Sequence, residues 1–223
     1  MSGVVITETV RRHFTSVGFL SFLALLAIVS VGFAQFDRPA AGWPSLIVLL
    51  AIVTGAGPIG PELSSGTLQL ILVKPLSRSA YLLSRVAGVV LAVWTAAAVA
   101  AACELLGRKL ETAPEIGAAL LNSMIEVVLI VSLLTFLGSV TRAYYNVAIY
   151  FGAQIVLALL AGFGRKLPPL VARAVTAVDH NLFPETPPRL DPDWLLLVAC
   201  NAAVALVLAC LAFRRREVPY GAE

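Results

Sequence analysis

The sequence has few charged residues, and this shortage excludes most soluble folds. Only 13% of its 223 residues are charged, whereas an average soluble domain has about 25%. Hydrophobic residues make up 59% of the chain, and the mean hydropathy is +0.91. These values predict an integral membrane protein. At about 20 residues per membrane-spanning helix, this length accommodates six crossings and no separate catalytic domain.

Motifs that mark common enzyme classes are also missing. The sequence contains no G-x-x-x-x-G-K-[ST] loop, no G-x-S-x-G elbow and no H-E-x-x-H helix. The string G-x-G-x-x-G at 55–60 follows an apolar run with no βαβ pattern around it, so it does not indicate a dinucleotide site. The three cysteines lack a C-x-x-C pair and a nearby histidine, so no metal site is expected. The chain is therefore predicted not to be an enzyme by itself.

Six continuous apolar segments dominate what is present. They lie at about 16–36, 44–59, 81–102, 116–140, 144–163 and 194–213. Strands of a membrane barrel would alternate polar and apolar residues, and these segments do not, so each is predicted to be a helix. The predicted fold class is all-α: a single polytopic domain over 1–223 with six transmembrane helices.

Three stretches outside these segments have patterns of their own. Residues 4–14 mix valines with charges, which predicts a short helix at the membrane surface. Residues 60–80 form the connection between the second and third helices. Residues 167–178, in the connection before the sixth helix, predict an external amphipathic helix followed by a proline-rich loop.

The distribution of lysine and arginine favours both termini in the cytoplasm. With six crossings, nine basic residues fall inside and seven outside. The run 214–216, three arginines directly after the last helix, is the best single support. Because the basic residues are scattered between apolar segments, they do not indicate nucleic-acid binding. We expect an integral protein of the cytoplasmic membrane, in a bacterium or archaeon.

The connection at 60–80 is the most informative part of the sequence. Pro61 and Glu62 suit the N-terminus of a short helix, since proline needs no N–H partner there and a carboxylate favours the positive end of the helix dipole. Pro75 disfavours helix at Lys74. Ser77 is placed to cap the next helix. The pattern predicts a short interfacial helix between two membrane helices.

This connection resembles the loop between helices two and three of type-2 ABC exporter permeases. The shared pattern is an acid, a Gly-Thr pair, a leucine-rich run and Pro-x-Ser-Arg. The matching positions are Glu62, Gly66, Thr67, Pro75, Ser77 and Arg78. The ending at 213–217, a phenylalanine followed by three arginines and a glutamate, is also similar to the end of the sixth helix in many of these permeases.

The resemblance implies a coupling helix that rests on a separate ATP-binding cassette subunit. It also implies a second permease copy, identical or related, and membrane lipids as neighbours, with an extracytoplasmic partner as a further option. ATP and Mg²⁺ would belong to the partner subunit, and no cofactor is expected in this chain. The implied activity is ATP-driven transport, in the export direction. A plain amphipathic loop with no coupling role is the alternative interpretation of 60–80.

Polar residues within the apolar segments are candidates for a translocation path. Glu126 is the one acid in the middle of a predicted helix, and a charge at that depth costs about 2.5–3.5 kcal/mol on insertion scales. Asn122 precedes it by one turn, and Asn146 and Gln154 lie on the next helix. The alternative is that these groups only form hydrogen bonds between helices.

Two other function classes stay open at this point. One is a proton-coupled secondary transporter with Glu126 as the relay. The other is a non-transporting assembly scaffold. Trp43 and Trp194, at segment ends, are predicted to be interfacial anchors.

Overall fold

The computed structural model describes residues 2–34, 42–56, 77–108, 110–141, 145–162, 168–182 and 190–215. These residues form eight α-helices and one 3₁₀ turn at Leu110–Thr112, with no strand among them. The helices are α1 (Gly3–Thr15), α2 (Val17–Phe33), α3 (Trp43–Gly55), α4 (Arg78–Gly107), α5 (Ala113–Val140), α6 (Tyr145–Gly162), α7 (Pro169–Leu182) and α8 (Pro192–Arg215). The all-α prediction is confirmed for this part of the chain.

Three of these helices, α4, α5 and α8, are long and apolar enough to cross a membrane. The pair α1 and α2, bent by 70° at Ser16, would together count as a fourth. Helices α3 and α6 are apolar but shorter. The described part of the chain is therefore all-helical, and it contains three to four helices that meet the length and hydropathy requirements for spanning, which is consistent with a membrane protein.

The core lies where α2, α3, α4 and α5 meet. Helix α3 is central, because Trp43 and Ile47 are completely buried and Leu50 almost so. Alanines on one face of α4 are buried in the same cluster, and they let neighbouring helices approach closely. The exposed face of α4 carries Ala98 and Ala102, so only part of the alanine-rich sequence packs against other helices.

The bundle has two ends, which we name by the short helices found there. At the α1 end, Val5 and Phe136 pack with Tyr81 and Phe213, so the start of α4 and the ends of α5 and α8 lie together. At the opposite end, which we call the α7 end, Trp43 at the start of α3 contacts Glu104 near the end of α4. Helix α7 packs against α6 and α8.

Helix ends follow local sequence signals. Ser77 caps α4 as predicted, its Oγ accepting a hydrogen bond from the Ala80 N–H at 3.2 Å. Pro44 and Pro114 occupy the first turns of α3 and α5, where a missing N–H costs nothing. The predicted surface helix at 4–14 and the external helix at 167–178 are both helical in the structure, as α1 and α7.

The sequence interpretation of the two tryptophans was wrong. Trp43 is completely buried and Trp194 is 6% exposed, so neither lies at the protein surface as an interfacial anchor would. The prediction also ended the third apolar segment at residue 102, whereas α4 continues to Gly107 and carries Glu104 into the interior. Neighbouring helices cover both side chains, since Trp43 is hydrogen-bonded to Glu104 of α4 and Trp194 packs against Leu129 of α5.

Candidate functional site

The predicted coupling residues lie mostly outside the described part of the chain. Glu62, Gly66, Thr67 and Pro75 fall outside it, whereas Ser77 and Arg78 start α4. What the structure does describe is how the two helices that flank this segment are attached to the bundle. Both attachments are at the α1 end.

The first attachment holds the end of α3. The Asn146 amide nitrogen donates to the Ala56 carbonyl at 3.1 Å and to the Leu134 carbonyl at 3.2 Å. The Oδ1 atom of the same side chain accepts the Val147 N–H at 2.9 Å. Asn146 is 1% exposed. One buried amide therefore connects α3, α5 and α6 at the point where the chain leaves for residues 57–76.

The second attachment holds the first turns of α4 against α1. The Arg85 guanidinium donates to the Thr9 hydroxyl at 3.0 Å, and the Ser2 backbone N–H donates to the Ser84 hydroxyl at 2.7 Å. Thr9 is 1% exposed and Arg85 is 9% exposed. Because a buried guanidinium is costly unless it is hydrogen-bonded, the bond from Arg85 to Thr9 ties α1 to α4.

Gly88 makes this approach possible. A Cβ atom at residue 88 would lie 2.5 Å from the Thr9 Cβ and 3.1 Å from the Ile6 carbonyl oxygen. Any larger residue would force the two helices apart. This contact could not be predicted from the sequence, because a single glycine in an alanine-rich helix has no distinctive pattern.

The four candidate translocation residues share the α5–α6 side of the bundle. Asn122 and Glu126 are one turn apart on α5, and Asn146 and Gln154 are two turns apart on α6. Tyr150, between these two, interacts electrostatically with Glu126. Glu126 and Gln154 are half-buried, while Asn122 and Asn146 are buried. The Asn146 side chain forms the hydrogen bonds to Ala56, Leu134 and Val147 described above, so its role in the structure is to hold helices together.

A third polar cluster, at the α7 end, was missed by the sequence interpretation. The Glu104 carboxylate accepts the Trp43 indole N–H at 2.6 Å and the Arg108 Nε–H at 2.7 Å. Glu104 is completely buried, and the Arg108 side chain is 7% exposed. The spacing of residues 104 and 108, four apart on one helix, is a sequence signal for the ion pair. Nothing in the sequence pairs residue 43 with residue 104.

No metal-binding group of His, Cys, Asp and Glu is found in the part of the chain that the structure describes. No family model matches the chain, and no curated protein matches it either.

Proposed function

We propose that this chain is the membrane-spanning permease subunit of an ATP-driven transporter, similar in plan to type-2 ABC exporters. In this proposal all six apolar segments cross the membrane, the residues around 60–76 form the coupling helix, and a separate subunit binds and hydrolyses ATP. A second permease copy completes the translocation pathway. ATP and Mg²⁺ belong to the ATPase subunit.

The observation that carries the proposal is the double attachment of the helices flanking 57–76. A force on this segment reaches α3, whose end is held by Asn146, and α4, whose start is capped by Ser77 and fixed to α1 through Arg85. A segment with one loose flank would absorb movement locally. With both flanks fastened to the bundle, closure of an attached ATPase would move helices as rigid bodies.

The charge distribution supports a cytoplasmic location of the α1 end. With the six crossings of the proposal, the full sequence has nine basic and four acidic residues on the side of the α1 end, and seven basic and eight acidic residues on the side of the α7 end. An excess of lysine and arginine on one side is typical of the cytoplasmic face. In this orientation the end of α3 and the start of α4, which flank 57–76, face the cytoplasm, where the proposed ATPase would bind.

The proposal is tested by purifying the tagged chain from its native cells in mild detergent and identifying bound proteins by mass spectrometry. We expect a stoichiometric partner that contains G-x-x-x-x-G-K-[ST], and its loss when Glu62 and Arg78 are both replaced by alanine. Arg173→Ala, at the α7 end, is the matched control and should keep the partner. Absence of an ATPase in several detergents would overturn the proposal.

The proton-coupled alternative makes a different prediction for two single variants. If protons drive transport, Glu126→Gln abolishes activity and Glu62→Ala does not. If an ATPase drives it, Glu62→Ala uncouples the complex. For the scaffold alternative, the deciding result is full function of this chain with no ATPase bound.

A further inference from the structure

Helix α7 leaves a row of large apolar side chains uncovered. It packs against α6 and α8, yet Leu170 is 79% exposed, and Val171, Val178 and Leu182 are between 36% and 44% exposed. Viewed down the helix axis at 100° per residue, these four side chains and that of Ala174 fall in one sector about 120° wide. We call it the apolar sector. A continuous exposed apolar row of this kind marks a surface that meets another protein or a membrane.

A second, narrower sector of α7 faces the bundle. Ala172, Val175 and Asp179 are half-buried, and they are spaced three and four residues apart, as residues on one face of a helix are. With Leu170 placed at 0°, this packed sector runs from about 140° to about 200°, directly beside the apolar sector. The contacts of α7 with α6 and α8 therefore cover one side of the helix and leave the apolar sector open.

The third sector of α7 is polar. Arg173, Thr176 and His180 are all exposed, and they lie between about 240° and about 300° on the same scale. The direction opposite to the middle of this polar sector is the boundary between the apolar and packed sectors. One half of α7 is therefore polar and open to water, and the other half is divided between protein contacts and uncovered apolar side chains.

The helices that hold α7 also have exposed apolar side chains where α7 joins them. Leu159, in the last turn of α6, is 58% exposed, and Leu196, near the start of α8, is 66% exposed. Helix α8 is long and apolar enough to cross a membrane, and its exposed apolar side chains then face hydrocarbon. The apolar sector of α7 continues this lipid-facing surface, so the partner that fits it is the bilayer.

The charges of α7 indicate what kind of lipid is needed. The helix contains one arginine, Arg173, and one aspartate, Asp179, so its formal charges cancel when His180 is neutral. Attraction to anionic headgroups is then weak, and burial of the apolar sector supplies the binding energy. A zwitterionic lipid is sufficient for such a contact.

We propose that α7 lies in the surface of the bilayer at the α7 end of the bundle. Its packed sector rests on α6 and α8, its apolar sector enters the boundary between headgroups and acyl chains, and its polar sector faces water. The sequence pattern predicts an amphipathic helix, but only the structure shows that protein covers less than half of its circumference. The proposal goes beyond the proposed function, because it requires neither an ATPase nor transport.

The test measures the depth of spin labels on α7 in nanodiscs of phosphatidylcholine alone. The full chain, with its three cysteines replaced by alanine, receives one new cysteine at a time. Leu170→Cys and Val178→Cys place the label in the apolar sector, and Thr176→Cys and His180→Cys, on the same helix, are the matched controls in the polar sector. Depth is obtained from the collision rates of each label with oxygen, which concentrates in hydrocarbon, and with a water-soluble nickel complex.

We expect the labels at residues 170 and 178 to lie about 5–10 Å below the lipid phosphates, and those at residues 176 and 180 to lie at or above the phosphates. Circular dichroism and gel filtration establish that each variant is folded. Val171→Cys and Arg173→Cys, one from each sector, replace any variant that is not.

Three results would overturn the proposal. Strong collision with the nickel complex at all positions would mean that α7 lies in water. Exclusion of both reagents from residues 170 and 178 would mean that protein, such as a second copy of the chain, covers the apolar sector. Equal depths in the two sectors would mean that α7 is not oriented by the bilayer. Each of these results leaves ATP-driven transport intact, and a missing ATPase leaves the position of α7 unaffected.

Discussion

The Glu104 carboxylate accepts the indole N–H of Trp43 at 2.6 Å, and this bond joins the end of α4 to the start of α3 across 61 positions of sequence. Both side chains are completely buried. Arg108, one turn further along α4, places its Nε 2.7 Å from the other carboxylate oxygen. Arg108 compensates the buried negative charge of Glu104. The charge-assisted hydrogen bond from Trp43 to the same carboxylate joins α3 to α4.

Removal of the Glu104 side chain should cost much of the stability of the bundle. Glu104→Ala leaves the Arg108 guanidinium buried without its partner on α4 and Trp43 without its acceptor, so we expect a loss of about 3–5 kcal/mol. The measurement is reversible unfolding in mixed detergent micelles, followed by circular dichroism. Glu115→Ala, exposed on α5, should change the stability by less than about 0.5 kcal/mol. Similar losses in the two variants would contradict the proposed role of Glu104.

The two indole hydrogen bonds of the bundle should differ in strength. Trp43 donates to a carboxylate, whereas Trp94 donates to the Met124 backbone carbonyl at 2.8 Å. Hydrogen bonds to charged groups contribute about 1.5–3 kcal/mol and neutral ones about 0.5–1.5 kcal/mol. We therefore expect Trp43→Phe to lower the free energy of unfolding more than Trp94→Phe. The reverse order, measured by the same unfolding assay, would show that Glu104 does not strengthen the bond.

Alanine substitution at two helical glycines should have opposite effects. At Gly117 nothing lies within 4 Å of an added Cβ, so Gly117→Ala should stabilise the chain by about 0.5–1 kcal/mol through helix propensity. At Gly88 the added atom overlaps Thr9, so Gly88→Ala should destabilise by about 1–3 kcal/mol.

The Gly88 effect should be local to α1. Trypsin cleavage after Arg11 and Arg12 reports the release of this helix, and it should be faster in Gly88→Ala than in the natural chain or in Gly117→Ala. Unchanged cleavage rates in all three proteins would mean that α1 is not held by its contact with α4.

Asn146 and Gln154, both on α6, should contribute unequally to the stability of the bundle. Asn146→Ala removes bonds to Ala56 and Leu134, and at about 0.6 kcal/mol per interhelical bond in membranes the loss should be slightly above 1 kcal/mol. Gln154 is half-buried, so Gln154→Ala should affect stability less. Thermal unfolding of the two variants in the same detergent provides the comparison. A larger loss of stability in Gln154→Ala than in Asn146→Ala would contradict the structural role of Asn146.

The sequence by itself determined the helical class of the described residues and the long apolar segments expected of a membrane protein. Long apolar runs without alternation allow only helices in lipid, and the cap at Ser77 follows from local hydrogen-bonding chemistry. The position of Glu126 within an apolar run was also evident without a structure. Each of these features depends only on residues within one segment of the chain, so the sequence of that segment is enough to predict it.

The tertiary structure decided which polar side chains are buried together. Trp43 and Glu104 are far apart in sequence, as are Thr9 and Arg85, and Asn146 meets Ala56 only because three helix ends converge. Such partners follow from which helices pack side by side and in which register. In lipid the apolar surfaces of many helices are nearly equivalent, so hydropathy does not determine which helices pack together. Close contacts, such as that of Gly88 with Thr9, and buried hydrogen bonds determine it instead.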